Sequence, residues 1–185
     1  MTPLPALRLL ARLRTPAARP AAVSLGEQAL LGLLAAIALT LFVMQGFRVS
    51  GACMQPHLYT GERVLADKLA YRLASPRRGQ IVIFDYPRDV SQVYVKRVVG
   101  LPGETVSIAG GQVFINGRPL AEPYKTFAAH GDMPARAVAP GEYFVMGDNR
   151  DVSDDSRYWG GLPRRDIIGR AVARYWPPAR AQVLR

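Results

Sequence analysis

A chain of 185 residues has room for one domain of ordinary size with its own core. Its formal net charge is +10, but no glycine-rich basic patch with interleaved aromatics accompanies it, so nucleic acid is excluded as the expected partner and anionic lipid is retained. One cysteine excludes an internal disulfide, and disulfides therefore say nothing about the compartment.

Residues 1–24, rich in Pro, Ala and Arg, read as a flexible basic tail, with Arg8, Arg12, Arg14 and Arg19 ahead of any acid. Residues 29–44 form an uncharged apolar run, and extending it to 25–47 predicts a helix of about 34 Å, enough for the roughly 30 Å hydrocarbon core of a bilayer. Four arginines precede it and Arg48 alone follows closely. The positive-inside rule then gives a single-pass protein with a cytoplasmic N-terminus and residues 48–185 outside. A cleaved signal peptide is the other reading, with Ser50-Gly51-Ala52 as small residues before a cut.

Past residue 60 the helical period disappears, apart from a short helix expected near Leu65–Leu73. Apolar, β-branched strands are predicted over residues 80–84, 93–99, 105–108, 112–115, 143–146 and 168–173. Gly110-Gly111 joins two of them as a hairpin, and Asn116-Gly117 starts another turn. Residues 121–141 read as a long excursion. The fold class expected is mainly β: an antiparallel coiled sheet or barrel-like domain over residues 48–185, behind one N-terminal transmembrane helix.

Three features carry candidate chemistry. Cys53 lies in Ser50-Gly51-Ala52-Cys53-Met54-Gln55-Pro56, where small residues leave a compact backbone around a thiol. A nucleophile needs that room, so that a carbonyl can approach and a backbone N–H can face the oxyanion. A lone cysteine is also commonly just a small buried hydrophobe. Lys96 lies inside 93–99, sharing a face with Tyr94 and Val98. Burial favours the neutral form of a lysine, and a neutral amine can act as a general base. The alternative is an edge-strand lysine that discourages aggregation. The third feature is the run Gly147–Arg157, with Asp and Arg alternating directly after an apolar strand. A polar scaffold that fixes another charged group would need such density; a solvated turn would not. It is no calcium loop, since Ser156 and Leu162 stand where the glycine and glutamate are required. His57 and His130 lack companions at metal-ligand spacing, and neither a metal nor a cofactor is expected.

Taken together, these segments resemble the bacterial type I signal peptidases, matching at four stretches in the family's order across roughly residues 45–175. Cys53-Met54-Gln55-Pro56-His57-Leu58 looks like the family's nucleophile segment, Ser-Met-x-Pro-Thr-Leu. Arg78–Phe84 is similar to the strand that pairs with substrate. Tyr94–Glu104 looks like the general-base segment, with Lys96 at the base position. Gly147–Gly160 resembles the Gly-Asp-Asn-Arg-Asp-Asn-Ser-x-Asp-Ser-Arg box, departing only at Val152. The resemblance implies a Ser–Lys type dyad in which Cys53 replaces serine and Lys96 is the base; a thiolate beside an ammonium, with Lys96 also the acid for the leaving amine, is the other state open to the pair. It further implies that Ser153 hydrogen-bonds and orients Lys96, that Asp155 and Arg157 form a bracing ion pair, and that Asp148 and Arg150 support the same shell. Phe47, Val49, Met54, Leu58, Tyr94 and Val95 would line the substrate pockets, and the peptide would add as a strand beside Ile81–Phe84, the segment holding Ile81 and Ile83, or beside the Cys53 segment. Gly51 denies the oxyanion hole a side-chain hydroxyl and leaves the Cys53 N–H. His57 stands in place of threonine.

The activity implied is removal of signal peptides from exported preproteins after small-x-small sequences, at the bacterial cytoplasmic membrane. The partners are therefore the lipid bilayer and preproteins bearing signal peptides. Two alternatives belong to other classes. One is a catalytically impaired paralogue that binds signal sequences without cutting them, motivated by Cys53 and His57. The other is a lipoprotein lipidated at Cys53, although Ser50 and Arg48 fit a lipobox poorly.

Overall fold

The computed structural model describes residues 24–124 and 131–184. The expected basic tail lies outside the described residues except for Ser24, and so does His130. The chain divides into two compact units, residues 1–36 and 37–185.

Helix α1 is Leu25–Val43. Ser24 caps it: its Oγ accepts from Glu27 N–H (3.3 Å) while Glu27 Oε2 accepts from Ser24 N–H (2.8 Å). This reciprocal bonding satisfies two donors that a helix start otherwise leaves unpaired. The helix is apolar all round, with Leu30, Leu31, Leu33, Leu34 and Ile37 exposed. It ends four residues before the expected 47, because the chain turns extended and pairs as a strand. At 19 residues it measures about 28 Å, and among the described residues no helix is long and apolar enough to cross a membrane.

The second unit is built of antiparallel strands: β1 Met44–Arg48, β2 Arg63–Asp67, β3 Ile81–Tyr86, β4 Asp89–Gly100, β5 Thr105–Ala109, β6 Gln112–Ile115, β7 Arg118–Pro119, β8 Met133–Ala137, β9 Glu142–Met146, β10 Leu162–Pro163, β11 Ile167–Trp176 and β12 Gln182–Val183. Two one-turn helices interrupt them, α2 Ala70–Leu73 and α3 Ser156–Trp159. The larger sheet runs β1-β2-β11-β3-β4-β9-β10, with β12 added on β11; the smaller runs β7-β6-β5-β8. Neither order closes on itself, so the barrel-like expectation gives way to two open sheets. The expected hairpin is present: Ala109 faces Gln112, and Gly110 and Gly111 take φ of 53° and 76°, left-handed values that a side chain would disfavour.

The helix expected near Leu65–Leu73 is corrected in its first half. Leu65, Ala66 and Asp67 are strand, because β2 is hydrogen-bonded on both sides, by β1 and β11. The expected excursion 121–141 contains β8, which completes the smaller sheet.

β4 organises the rest. It is exposed at its start and buried from Lys96 onward. Val95 packs toward a core of Val49, Met54, Leu58, Val64 and Ile83, Val98 lies in a second with Val82, Phe84 and Val145, and Val99 in a third with Val106 and Phe144. Lys96 faces Val82 on β3, while Arg97 and Val98 face Met146 and Val145 on β9. An interior strand needs no lysine to guard it, so the edge-strand reading of Lys96 falls.

Candidate active site

The loop from Val49 to Glu62 joins β1 to β2 and carries the thiol. Val49, Met54 and Leu58 are buried and pin it from below, and Leu58 N–H bonds back to Met54 O at 2.8 Å. Cys53, between two of those anchors, is only partly buried. Its sulfur lies 4.0 Å from Val95 O, so the thiol abuts the β4 backbone beside Lys96.

Lys96 is 3% exposed. Its Nζ stands 5.1 Å from the centroid of the Tyr94 ring, two residues along the same face. Tyr94 is itself stacked on Tyr86, with centroids 4.4 Å apart. Cys53 and Lys96 line one cleft of about 400 Å³, together with Phe47, Val49, Ile83, Tyr94 and Val95. That cleft adds Val64, Val152 and Asp154, which sequence reasoning did not single out. Met54, Leu58 and Ile81, expected to touch substrate, lie in the apolar core instead, because their side chains point below the loop and strand that carry them.

The charge-dense run is a buried scaffold behind the cleft. Asp155 N-caps α3 and pairs with Arg157 (Nε to Oδ1, 2.8 Å), as expected, and its Oδ2 accepts from Gly147 N–H at 3.0 Å. Arg157 also donates to Arg150 O (2.6 Å) and Ser153 O (3.2 Å). Arg150, fully buried, donates to Gly147 O at 2.9 Å and is paired with Glu122. Asp148 takes two bonds from Arg97, 2.7 Å at Nε and 2.6 Å at Nη2, and Arg97 lies over the Tyr124 ring. His57 Nδ1 is 3.2 Å from Asp148 Oδ2, within ion-pair range if the ring is protonated but without hydrogen-bond alignment. Burial pushes the Asp148 carboxyl up, but the Arg97 hydrogen bonds, His57 and their charges outweigh it and hold it below the ordinary carboxylate value.

This scaffold grips the thiol loop. Asn149 N–H donates to Cys53 O at 3.0 Å. A Cβ on Gly147 would come within 2.5 Å of Cys53 O and 2.3 Å of Ser153 Oγ, so only glycine lets the three segments meet. Ser153 is buried beside the glycine, and its Oγ has no hydrogen-bond partner among the described residues. The bond expected between Ser153 and Lys96 is therefore not made in this conformation. The bracing partners Arg97, Glu122 and Tyr124 escaped sequence reasoning. Arg97 was signalled only by strand alternation, which puts it on the face away from Lys96.

What the arrangement can do is narrow. A partly buried thiol and a buried amine lining one cleft bring together a nucleophile and a group able to move its proton. The profile of the family described as signal peptidase, peptidase S26, matches residues 22–176. The chain is similar to signal peptidase I of Leptolyngbya laminosa, 38% identical over 155 residues that cover 80% of this chain and 76% of that one. It is similar to the probable signal peptidase I-2 of a Synechocystis strain, 35% identical over 168 residues, 88% of this chain and 77% of that one. Among solved structures, a signal peptidase I from Enterococcus faecalis superposes with a TM-score of 0.47 at 36% identity, over 52% of this chain and 97% of that one.

Proposed function

The chain belongs to the signal peptidase family, peptidase S26, and on that footing we propose that it is a membrane-tethered endopeptidase that removes signal peptides from exported preproteins, with Cys53 as nucleophile and Lys96 as general base. The observation that carries this reading is the single cleft in which the partly buried thiol and the buried amine both open toward the same 400 Å³ space. The exposed leucines of α1 support a lipid-embedded tether.

The extended residues before the cut lie in the cleft against Ile83, Tyr94 and Val95, with small side chains over Phe47, Val49 and Val64. Lys96 Nζ takes the proton from Cys53 Sγ as sulfur attacks the scissile carbonyl carbon. The Cys53 backbone N–H faces the oxyanion. Collapse expels the new N-terminus of the mature protein, which leaves with the proton carried by Lys96, and the signal peptide remains as a thioester on Cys53. Lys96 then takes a proton from water, hydroxide adds to the thioester, and Cys53 leaves as thiolate and is reprotonated. Ser153, whose hydroxyl has no other partner, rotates to accept from or donate to the amine and holds it toward sulfur. Asp148, Arg150, Asp155 and Arg157 keep that geometry without touching substrate.

Cleavage of a preprotein with a small-x-small site tests the reading. Lys96→Ala should fold and lose about 10²- to 10⁴-fold in rate, and iodoacetamide should inactivate the wild type. A folded Lys96→Ala that cuts at the wild-type rate removes the dyad. Wild type that binds the signal sequence and never cuts it makes the chain a binding paralogue.

A further inference from the structure

The thiol loop is held in front by Asn149, and a second polar cluster holds its rear. Arg174, near the C-terminal end of β11 and 6% exposed, reaches across to the loop and donates from Nη1 to His57 O at 2.5 Å. The same nitrogen lies 3.3 Å from Glu62 Oε2, a carboxylate that is itself buried and accepts from Tyr59 N–H at 2.9 Å. Arg180 completes the cluster: Nε pairs with Glu62 Oε1 at 3.1 Å, Nη2 reaches Pro56 O at 3.4 Å, and its guanidinium covers the Tyr59 ring. Arg174 Nε returns to Arg180 O at 2.6 Å, and Nη2 to Gln182 Oε1 at 3.2 Å.

Two guanidiniums, both paired with the Glu62 carboxylate, thus donate to the carbonyls three and four residues after Cys53 and tie the C-terminal strands to the loop. The bond to the His57 carbonyl is part-buried, and a carbonyl shielded from water is costly to leave unpaired, so removing Arg174 shifts this backbone toward other partners. A displacement of about 1 Å at a reacting atom can cost about 10²-fold in rate. Met54 and Leu58 fix the loop's depth, but apolar contacts are non-directional and set no rotation about it. The Arg174 and Arg180 bonds are directional and supply that constraint.

We infer that Arg174, acting through Glu62 and the His57 carbonyl, is a positioning residue for the Cys53 nucleophile. This deepens the proposed peptidase reading and rests on it for its kinetic consequence. Arg174→Met should lower kcat about tenfold or more with KM changed less than about twofold, since the cleft walls Tyr94, Val95 and Ile83 are untouched. Arg174→Lys, which restores a single donor, should recover part of the loss. The rate at which iodoacetamide alkylates Cys53 at fixed pH reads the thiol's placement without any turnover. It should change at least about threefold in Arg174→Met and move back in Arg174→Lys. Glu62→Gln, nearly isosteric, should shift both readouts in the same direction and serves where Arg174→Met does not fold. Unchanged alkylation together with unchanged kcat in a folded variant overturns the inference. If the wild type cuts no preprotein while alkylation still responds to Arg174, the clamp stands and the peptidase reading fails.

Discussion

The Gly147–Arg157 scaffold and the cleft in front of it treat polar groups in opposite ways. In the scaffold, buried charges are saturated: Asp148 by Arg97, Asp155 by Arg157 and Gly147 N–H, Arg150 by Glu122 and Gly147 O. At the scaffold's own edge, Ser153 Oγ has no partner among the described residues, and in the cleft Lys96 meets an aromatic face while the thiol sits 4.0 Å from Val95 O. Saturated pairs in a poorly polarisable interior hold geometry, whereas unsaturated ones cost stability and remain free to bond a reacting group. Asn149 N–H on Cys53 O joins the saturated region to the undersatisfied one.

The largest effect that could break this contrast lies in the scaffold. Asp148→Asn leaves Arg97 buried without its counter-charge, and removal of one partner from a buried pair costs about 3–5 kcal/mol. Chemical denaturation should show that loss. The pH dependence has a definite sign. The folded carboxyl is held below its ordinary value of 3.8, so its contribution is fully present above that value and is lost as pH falls through the lower, folded one. The stability gap between wild type and Asp148→Asn should therefore be constant above 3.8 and narrow below it. A gap that widens on acidification would contradict the pairing described.

Next comes the junction between the two regions. Gly147→Ala puts a methyl within 2.5 Å of Cys53 O and 2.3 Å of Ser153 Oγ, and backbone must give way. A displacement of this size at the thiol loop should lower preprotein cleavage about 10²-fold, with circular dichroism unchanged. Cleavage at the wild-type rate would mean that the loop is not located by this contact.

The smallest change in stability sharpens the contrast most. Ser153→Ala removes a hydroxyl that has no hydrogen-bond partner, so the thermal midpoint should move by less than about 1 kcal/mol equivalent or rise slightly. Cleavage by the same variant should fall about tenfold or more if the hydroxyl steadies Lys96 during reaction. A large loss of stability with intact cleavage would assign Ser153 to the scaffold instead.

Much of this was legible in the sequence, and the limits are physical. β3, the buried half of β4 and the β5–β6 hairpin announce themselves through β-branched runs and a Gly-Gly turn, which are local signals. The Asp155–Arg157 pair spans two residues and is an implication of the family resemblance; the charge alternation alone points only to a polar scaffold. Arg97–Asp148 spans 51 residues and Arg150–Glu122 spans 28, so no local pattern could register them. β1 follows α1 directly, and its change to strand is decided by pairing with β2. Leu65 and Ala66 have helical propensity that strands on both sides override. Met54 and Leu58 fit a pocket by position in the motif, yet the loop turns them into the core.

The central claim is that sulfur at position 53 bonds covalently to the signal peptide, and intact-mass spectrometry of an acid-quenched reaction with a preprotein measures it directly. The account predicts an adduct of one signal peptide, absent in Cys53→Ala, released by hydroxylamine as expected of a thioester, and formed far more slowly in Lys96→Ala. Undiminished cleavage by Cys53→Ala, with no adduct on the wild type at any time in the reaction, would contradict it.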